Sequence, residues 1–211
     1  LGLFAQWAGS NGIARLSISD ETICQHQAPQ LTFGKVTVST PPRAFTQATP
    51  QGEKTLQDAV GLALAGADKV IDLFSGVGTL SLPLAGVATL HCVENDKGLL
   101  DALAHGVRHT QGIKSVTTSA RDLYRNPVDH TDLIKFNAAI VDPPRAGAEK
   151  QVQQLAQSSV PDIAMVSCNP VSFARDANIL CAGGYVLKWV EVVDQFRWSP
   201  HIEIVAHFHR A

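Results

Sequence analysis

From residue 56 to the C-terminus, short apolar runs alternate with stretches of helical spacing. This alternation constrains the fold more than any other feature of the chain. Residues 56–64 space their apolar side chains as a helix does. Residues 70–74 form an apolar run that ends in a glycine-rich turn, and 80–85 reopen a helix. Residues 89–93 make a second run closed by Glu94, followed by a helical stretch over 97–109. Further strands are predicted over 116–118, over 138–141 (closed by Asp142-Pro143-Pro144) and over 163–167. A helix from about 173 to 180 then precedes two last strands, 185–193 and 202–208. Strands alternating with helices predict an α/β fold: a mostly parallel, seven-stranded sheet with helices on both faces. In such sheets a ligand sits beyond the carboxyl ends of the strands.

Residues 1–42 have a different texture. Alternating stretches at 14–19, 31–33 and 36–38 are punctuated by Gly, Ser, Asn and Pro, which predicts a small β-rich segment. Pro41-Pro42 is a natural boundary, so the expected division is 1–42 and 43–211. So small a β element is expected to lean on the rest of the chain or on further sequence. The chain starts at Leu1 with no basic leader, which reads as the cut end of something longer.

With 45% hydrophobic and 17% charged residues, the 211-residue chain is a core-former and not a disordered segment. A formal net charge of −2 supplies no basic field with which to grip nucleic acid unaided. The chain has four cysteines, at 24, 92, 168 and 181, with no Cys-X-X-Cys pair and no histidine at ligand spacing beside them. The expectation is therefore no metal, no disulfide scaffold and a reducing, cytoplasmic setting. No run of about 20 apolar residues predicts a membrane span.

The chemistry-bearing residues cluster at the predicted strand ends. Asp72-Leu73-Phe74-Ser75-Gly76-Val77-Gly78-Thr79 lets backbone N–H groups approach a ligand, or is simply a tight turn. It lacks the third glycine of the dinucleotide pattern and the lysine of a phosphate loop. Glu94 at the second strand end can accept ribose hydroxyls, or is a solvated charge. Asp122 after the third strand can accept from an adenine amine, or be the N-cap of a helix. Asp142 ends the fourth strand in the rigid Asp142-Pro143-Pro144-Arg145 turn. Three carboxylates at successive strand ends favour an adenosine-type ligand.

Cys168, in Ser167-Cys168-Asn169-Pro170, follows the fifth strand and faces the same crevice. A lone cysteine is most often a small core hydrophobe, but this position points to a nucleophile. Glu203 interrupts an apolar strand, where a carboxylate is costly unless solvated, paired or used.

Together these residues resemble the class I S-adenosylmethionine-dependent RNA 5-methyluridine methyltransferases. The matching segments are Phe45-Thr46-Gln47, Asp72 to Gly78, Asp142 to Arg145, Ser167 to Pro170 and His201-Ile202-Glu203, in the family's order. The resemblance implies a Rossmann-like methyltransferase fold with S-adenosyl-L-methionine as cofactor. By the same resemblance Gln47, Phe74, Gly76, Thr79, Glu94, Asp122 and Asp142 bind the cofactor, Cys168 is the nucleophile and Glu203 the general base. Thr79 and Thr49 stand where the family often has Asn. The implied partner is an RNA substrate, tRNA or rRNA, whose uridine is turned out into the pocket. Phe196, Trp198 and Arg145 are candidates for the pocket wall. Residues 1–42 resemble the tail of the family's central domain. Two other readings stay open: an exocyclic-amine methyltransferase using the Asp-Pro-Pro turn, and a non-catalytic cofactor- or RNA-binding module.

Overall fold

A computed structural model describes residues 1–18, 21–196 and 198–210. The predicted stretch at 14–19 therefore ends, for Ser19, outside the described residues. In chain order the elements are α1 (Gly2–Ser10), β1 (Arg15–Ile18), β2 (Glu21–Gln25), β3 (Gln30–Phe33) and β4 (Val36–Ser39). Then come α2 (Pro50–Ala63), β5 (Lys69–Leu73), β6 (Thr89–Glu94), α3 (Lys97–Arg108) and β7 (Val116–Ala120). The chain finishes with α4 (His130–Leu133), β8 (Ala138–Val141), α5 (Glu149–Gln157), β9 (Asp162–Ser167), α6 (Pro170–Ala182), β10 (Val186–Val193) and β11 (Glu203–His209).

The seven-stranded sheet has the order β10-β11-β9-β8-β5-β6-β7. β5, β6, β7, β8 and β9 run parallel, and β11 alone pairs antiparallel to both its neighbours. The mostly parallel α/β sheet expected from the alternating pattern is thus present. The chain order reverses at β5, between β6 and β8, and this switch opens the ligand crevice.

Period-2 alternation splits the core between the two faces. Val70, Leu90, Ile140 and Val166 face α2, α3 and the β3–β4 hairpin. Ile71, Val93, Val141 and Met165 face α5 and α6. β4 belongs to this packing: Val36 and Val38 are fully buried, and a Cβ on Gly106 of α3 would stand 2.6 Å from the Thr37 carbonyl.

The helices start where the sequence caps them. Thr49 accepts from the Gly52 N–H ahead of Pro50, Asp96 accepts from Gly98 and Leu99, and Asn169 accepts from Val171 ahead of Pro170. α6 therefore begins three residues before the predicted 173. Two expectations are corrected. Residues 80–85 make only a 3₁₀ turn at Leu82–Leu84, because Pro83 cannot continue an α-helical ladder. Residues 2–10 form a helix where a β-rich segment was expected; Leu3-Phe4-Ala5-Gln6-Trp7-Ala8 holds no β-branched residue, and helix propensity prevails. Among the described residues, no helix is long and apolar enough to cross a membrane.

Candidate active site

The carboxyl ends of the strands surround a cavity of about 600 Å³, a size suited to a nucleoside-sized ligand. Its wall contains all nine residues singled out from the sequence: Gln47, Phe74, Gly76, Thr79, Glu94, Asp122, Asp142, Cys168 and Glu203. Arg145 also lines it, whereas Phe196 and Trp198 do not; Trp198 is fully exposed on the loop that leads to Glu203.

The turn after β5 bends sharply. Phe74 adopts φ 65°, unusual for a bulky residue, and the Phe74 and Ser75 N–H groups both donate to the Val93 carbonyl. Gly76 follows at φ 55°, and a Cβ there would enter open space within the cavity. Gly78 is glycine for another reason: a Cβ would come within 2.7 Å of Leu82. Glu94 clasps this turn. Its Oε2 accepts from the Gly76 N–H at 3.1 Å, and its Oε1 from Asn95 and Asp96 at 2.7 and 3.0 Å. A carboxylate has about four acceptor positions, so one remains on the Oε2 side. Asp122 lines the cavity and caps a turn, not the helix that its N-cap alternative called for: Oδ1 accepts from Tyr124 and Arg125 N–H, and no helix follows until α4. The Phe74 and Tyr124 rings lie 5.4 Å apart as an apolar wall.

Cys168 and Glu203 come from strands of opposite direction. β9 ends at the crevice, and β11, being reversed, begins there, with Ile204 opposite Ser167. Asn169 ties the two proline turns together: its Nδ2 donates to the Arg145 carbonyl at 3.0 Å, which Ser172 Oγ also reaches at 3.1 Å. On the other rim, Gln195 Nε2 donates to Gln47 Oε1 at 2.7 Å, holding the loop before α2 against the one after β10.

Sequence reasoning gave no role to Asp72, Asn169 or Gln195. Asp72 was legible by the argument applied to Glu203, since it too is a carboxylate inside an apolar strand. It is 1% exposed, and its Oδ2, like Ser75 Oγ, is buried with no hydrogen-bond partner among the described residues. Five carboxylates and only two arginines line the cavity, so its chemistry favours a cationic ligand bearing N–H donors.

The acidic cluster shifts its members upward. Burial, with Glu94 adding to it, pushes Asp72 up to about 7. Burial followed by the Glu203 and Asp72 charges pushes Asp142 to about 8, and burial alone raises Glu203 to about 6. The Cys168 thiol is raised by burial, then by Glu203 and Asp142. Unfolded carboxyls titrate near pH 4. Between there and about pH 8 these three carboxyls hold more protons in the ligand-free folded chain than in the unfolded one, so their contribution to stability falls as pH rises, against a smaller opposite contribution from His91, which burial lowers. Thermal unfolding from pH 5 to pH 8 is expected to show a declining midpoint, with the slope reduced in Asp142→Asn. Parallel slopes for the two chains would contradict these shifts.

Comparison with known proteins gives this site a context. Residues 34–211 match the tRNA (Uracil-5-)-methyltransferase family. The chain belongs to that family. An uncharacterized RNA methyltransferase of Mesorhizobium japonicum is 49% identical over 197 residues, covering 93% of this chain and 48% of the relative. One of Caulobacter vibrioides is 42% identical, covering 98% and 50%. The chain thus spans about half the length of the curated relatives it matches. Among solved structures, the Pyrococcus abyssi tRNA (uracil-54, C5)-methyltransferase in complex with S-adenosyl-L-homocysteine superposes with a TM-score of 0.76 at 25% identity. That likeness covers 92% of this chain and 48% of the archaeal one. The family match begins in the β3–β4 hairpin, consistent with the packing of β4 into the core.

Proposed function

We propose that this chain is the catalytic part of an RNA methyltransferase that moves a methyl group from S-adenosyl-L-methionine to carbon 5 of a uridine in tRNA or rRNA. Residues 43–211 are the methyltransferase domain in this reading, and 1–42 the remnant of a central domain, whose β3–β4 hairpin packs into the methyltransferase core. The observation that carries it is the meeting of Cys168 and Glu203 in the same cavity as the strand-end carboxylates, in a chain of this family.

The cofactor fits the residues present. Its cationic sulfur and ammonium group suit the acidic wall, and Asp72 Oδ2 and Ser75 Oγ offer partnerless acceptors. Phe74 and Tyr124 suit the adenine, Glu94 Oε2 a ribose hydroxyl, and Gln47 with Asp142 the remaining polar groups. When bound, the cofactor supplies an electrophilic methyl group.

Carbon 5 of uracil is too weak a nucleophile to take that methyl unaided. Cys168 solves this by adding its thiolate to carbon 6: a C–S bond forms and the displaced electron pair makes carbon 5 an enolate carbon. After methylation Glu203 takes the proton from carbon 5. The electron pair restores the ring double bond and expels the Cys168 thiolate. The net charge of −2 leaves RNA affinity weak in this chain alone.

The test is methylation of deproteinised tRNA and rRNA from cells lacking the full-length protein, with the modified position mapped. Label at carbon 5 of a uridine supports the proposal. Label on an exocyclic amine, or cofactor binding with no label in any RNA, refutes it.

A further inference from the structure

At the end of the sheet opposite the cavity, three side chains of metal-ligand type converge. His207 and His209 lie two residues apart on β11, so both rings stand on one face of the strand. Asp162, the first residue of β9, pairs in register with His209. Its Oδ1 lies 2.8 Å from His207 Nε2 and 2.8 Å from His209 Nδ1. The three ligand atoms all fall within 4.8 Å of one another. Each of the three residues is partly exposed, which leaves a path for an ion and for water.

We propose that Asp162, His207 and His209 form a binding site for a divalent transition metal, zinc being the best match. Two imidazole nitrogens and a carboxylate oxygen suit zinc, and three protein ligands leave a position for water. Zinc bonds of about 2.0–2.2 Å hold tetrahedral ligand atoms about 3.3 Å apart. The two 2.8 Å spacings from Asp162 Oδ1 need to open by a few tenths of an ångström, and the two ring nitrogens, within 4.8 Å of each other, need to settle to the same spacing. On binding, two N–H···O hydrogen bonds give way to nitrogen–metal bonds, and each ring carries its proton on its other nitrogen. The Trp189 ring, 5.9 Å from that of His207, limits where this ligand can turn.

The site would act as a clasp. β9 and β11 carry the Cys168 turn and Glu203 at their other ends, six residues away and thus about 20 Å. An ion bridging Asp162 to the two histidines locks the pairing of these strands without touching the reaction. The inference does not depend on the proposed function. It departs from the expectation of a metal-free chain, which considered only ligands near cysteines. Asp162 is far in sequence from the histidines and meets them only through the antiparallel β9–β11 pair.

The experiment uses the 211-residue chain, free of any histidine tag and stripped with chelator. It is titrated with zinc(II) by calorimetry and with cobalt(II) by visible absorption, and its thermal unfolding is followed with and without zinc(II). The expected result is one ion per chain at micromolar affinity, d–d bands of a low-coordinate cobalt site, and a higher unfolding midpoint with zinc. Asp162→Asn and His209→Gln, which keep size and hydrogen bonding, should each weaken binding about tenfold or more. His105 and His109 on α3, with rings 4.3 Å apart, are a competing pair, so His105→Gln should leave affinity unchanged. Absence of binding by the unaltered chain would overturn the proposal. So would binding that survives Asp162→Asn and His209→Gln, or binding that is lost in His105→Gln.

Discussion

Cys168→Ala is expected to lower methyl transfer by about 10⁴-fold or more while leaving S-adenosylmethionine binding intact. Losses of that order follow removal of a nucleophile on which the rest of a site depends. Binding should survive because the thiol is no part of the acidic wall, and the turn that carries it is held by Asn169 and Ser172, not by the cysteine. The same site accounts for an order of events. Burial, then the Glu203 and Asp142 charges, disfavours the thiolate in the ligand-free chain. A cationic cofactor among these carboxylates offsets their field and makes the thiolate easier to form. Alkylation of Cys168 by iodoacetamide should therefore speed up when S-adenosylmethionine is added, beyond any change at the exposed Cys181. Full turnover by the alanine variant would remove Cys168 from the nucleophile role.

How much of this was legible follows from where the signals lie along the chain. Glu94 and Asp142 could be read because each follows or ends an apolar strand, and Asp122 because it follows β7 by two residues; a parallel sheet brings such ends to one edge. Glu203 could be read as a polar break in an apolar run, but its reaching the same edge depends on β11 being reversed. Strand direction is not written in a period of two. Gln195 was invisible because its partner Gln47 lies 148 residues away. Asn169 shows local sequence doing two jobs, one legible and one not: its N-cap follows from Asn-Pro at a helix start, whereas its bond to Arg145 needs the tertiary fold. α1 was missed because turn-forming residues around it outweighed a short stretch of good helix formers.

Glu203→Gln is expected to trap the RNA on the protein. The carboxylate is 4% exposed at the first residue of β11, and burial raises it to about 6. A group of that pKa is ionised at neutral pH yet basic enough to hold a proton, which suits a general base. Glutamine keeps the shape and removes the basicity. Addition of Cys168 and methylation of carbon 5 do not call on Glu203, so they should proceed. Loss of the carbon-5 proton does call on it, so release of product should fall by about 10²–10⁴-fold. The adduct should appear as a slow band on a denaturing gel, dependent on S-adenosylmethionine, and vanish when Cys168→Ala is added. Folding should not suffer, because a raised carboxylate pKa means that the ionised group destabilises the native state at neutral pH. The variant should therefore unfold at the same temperature as the parent or higher. Normal product release by Glu203→Gln, from a variant that folds, would assign the proton to another acceptor. Asp142 would be the next to test, because its own pKa is raised partly by the Glu203 charge.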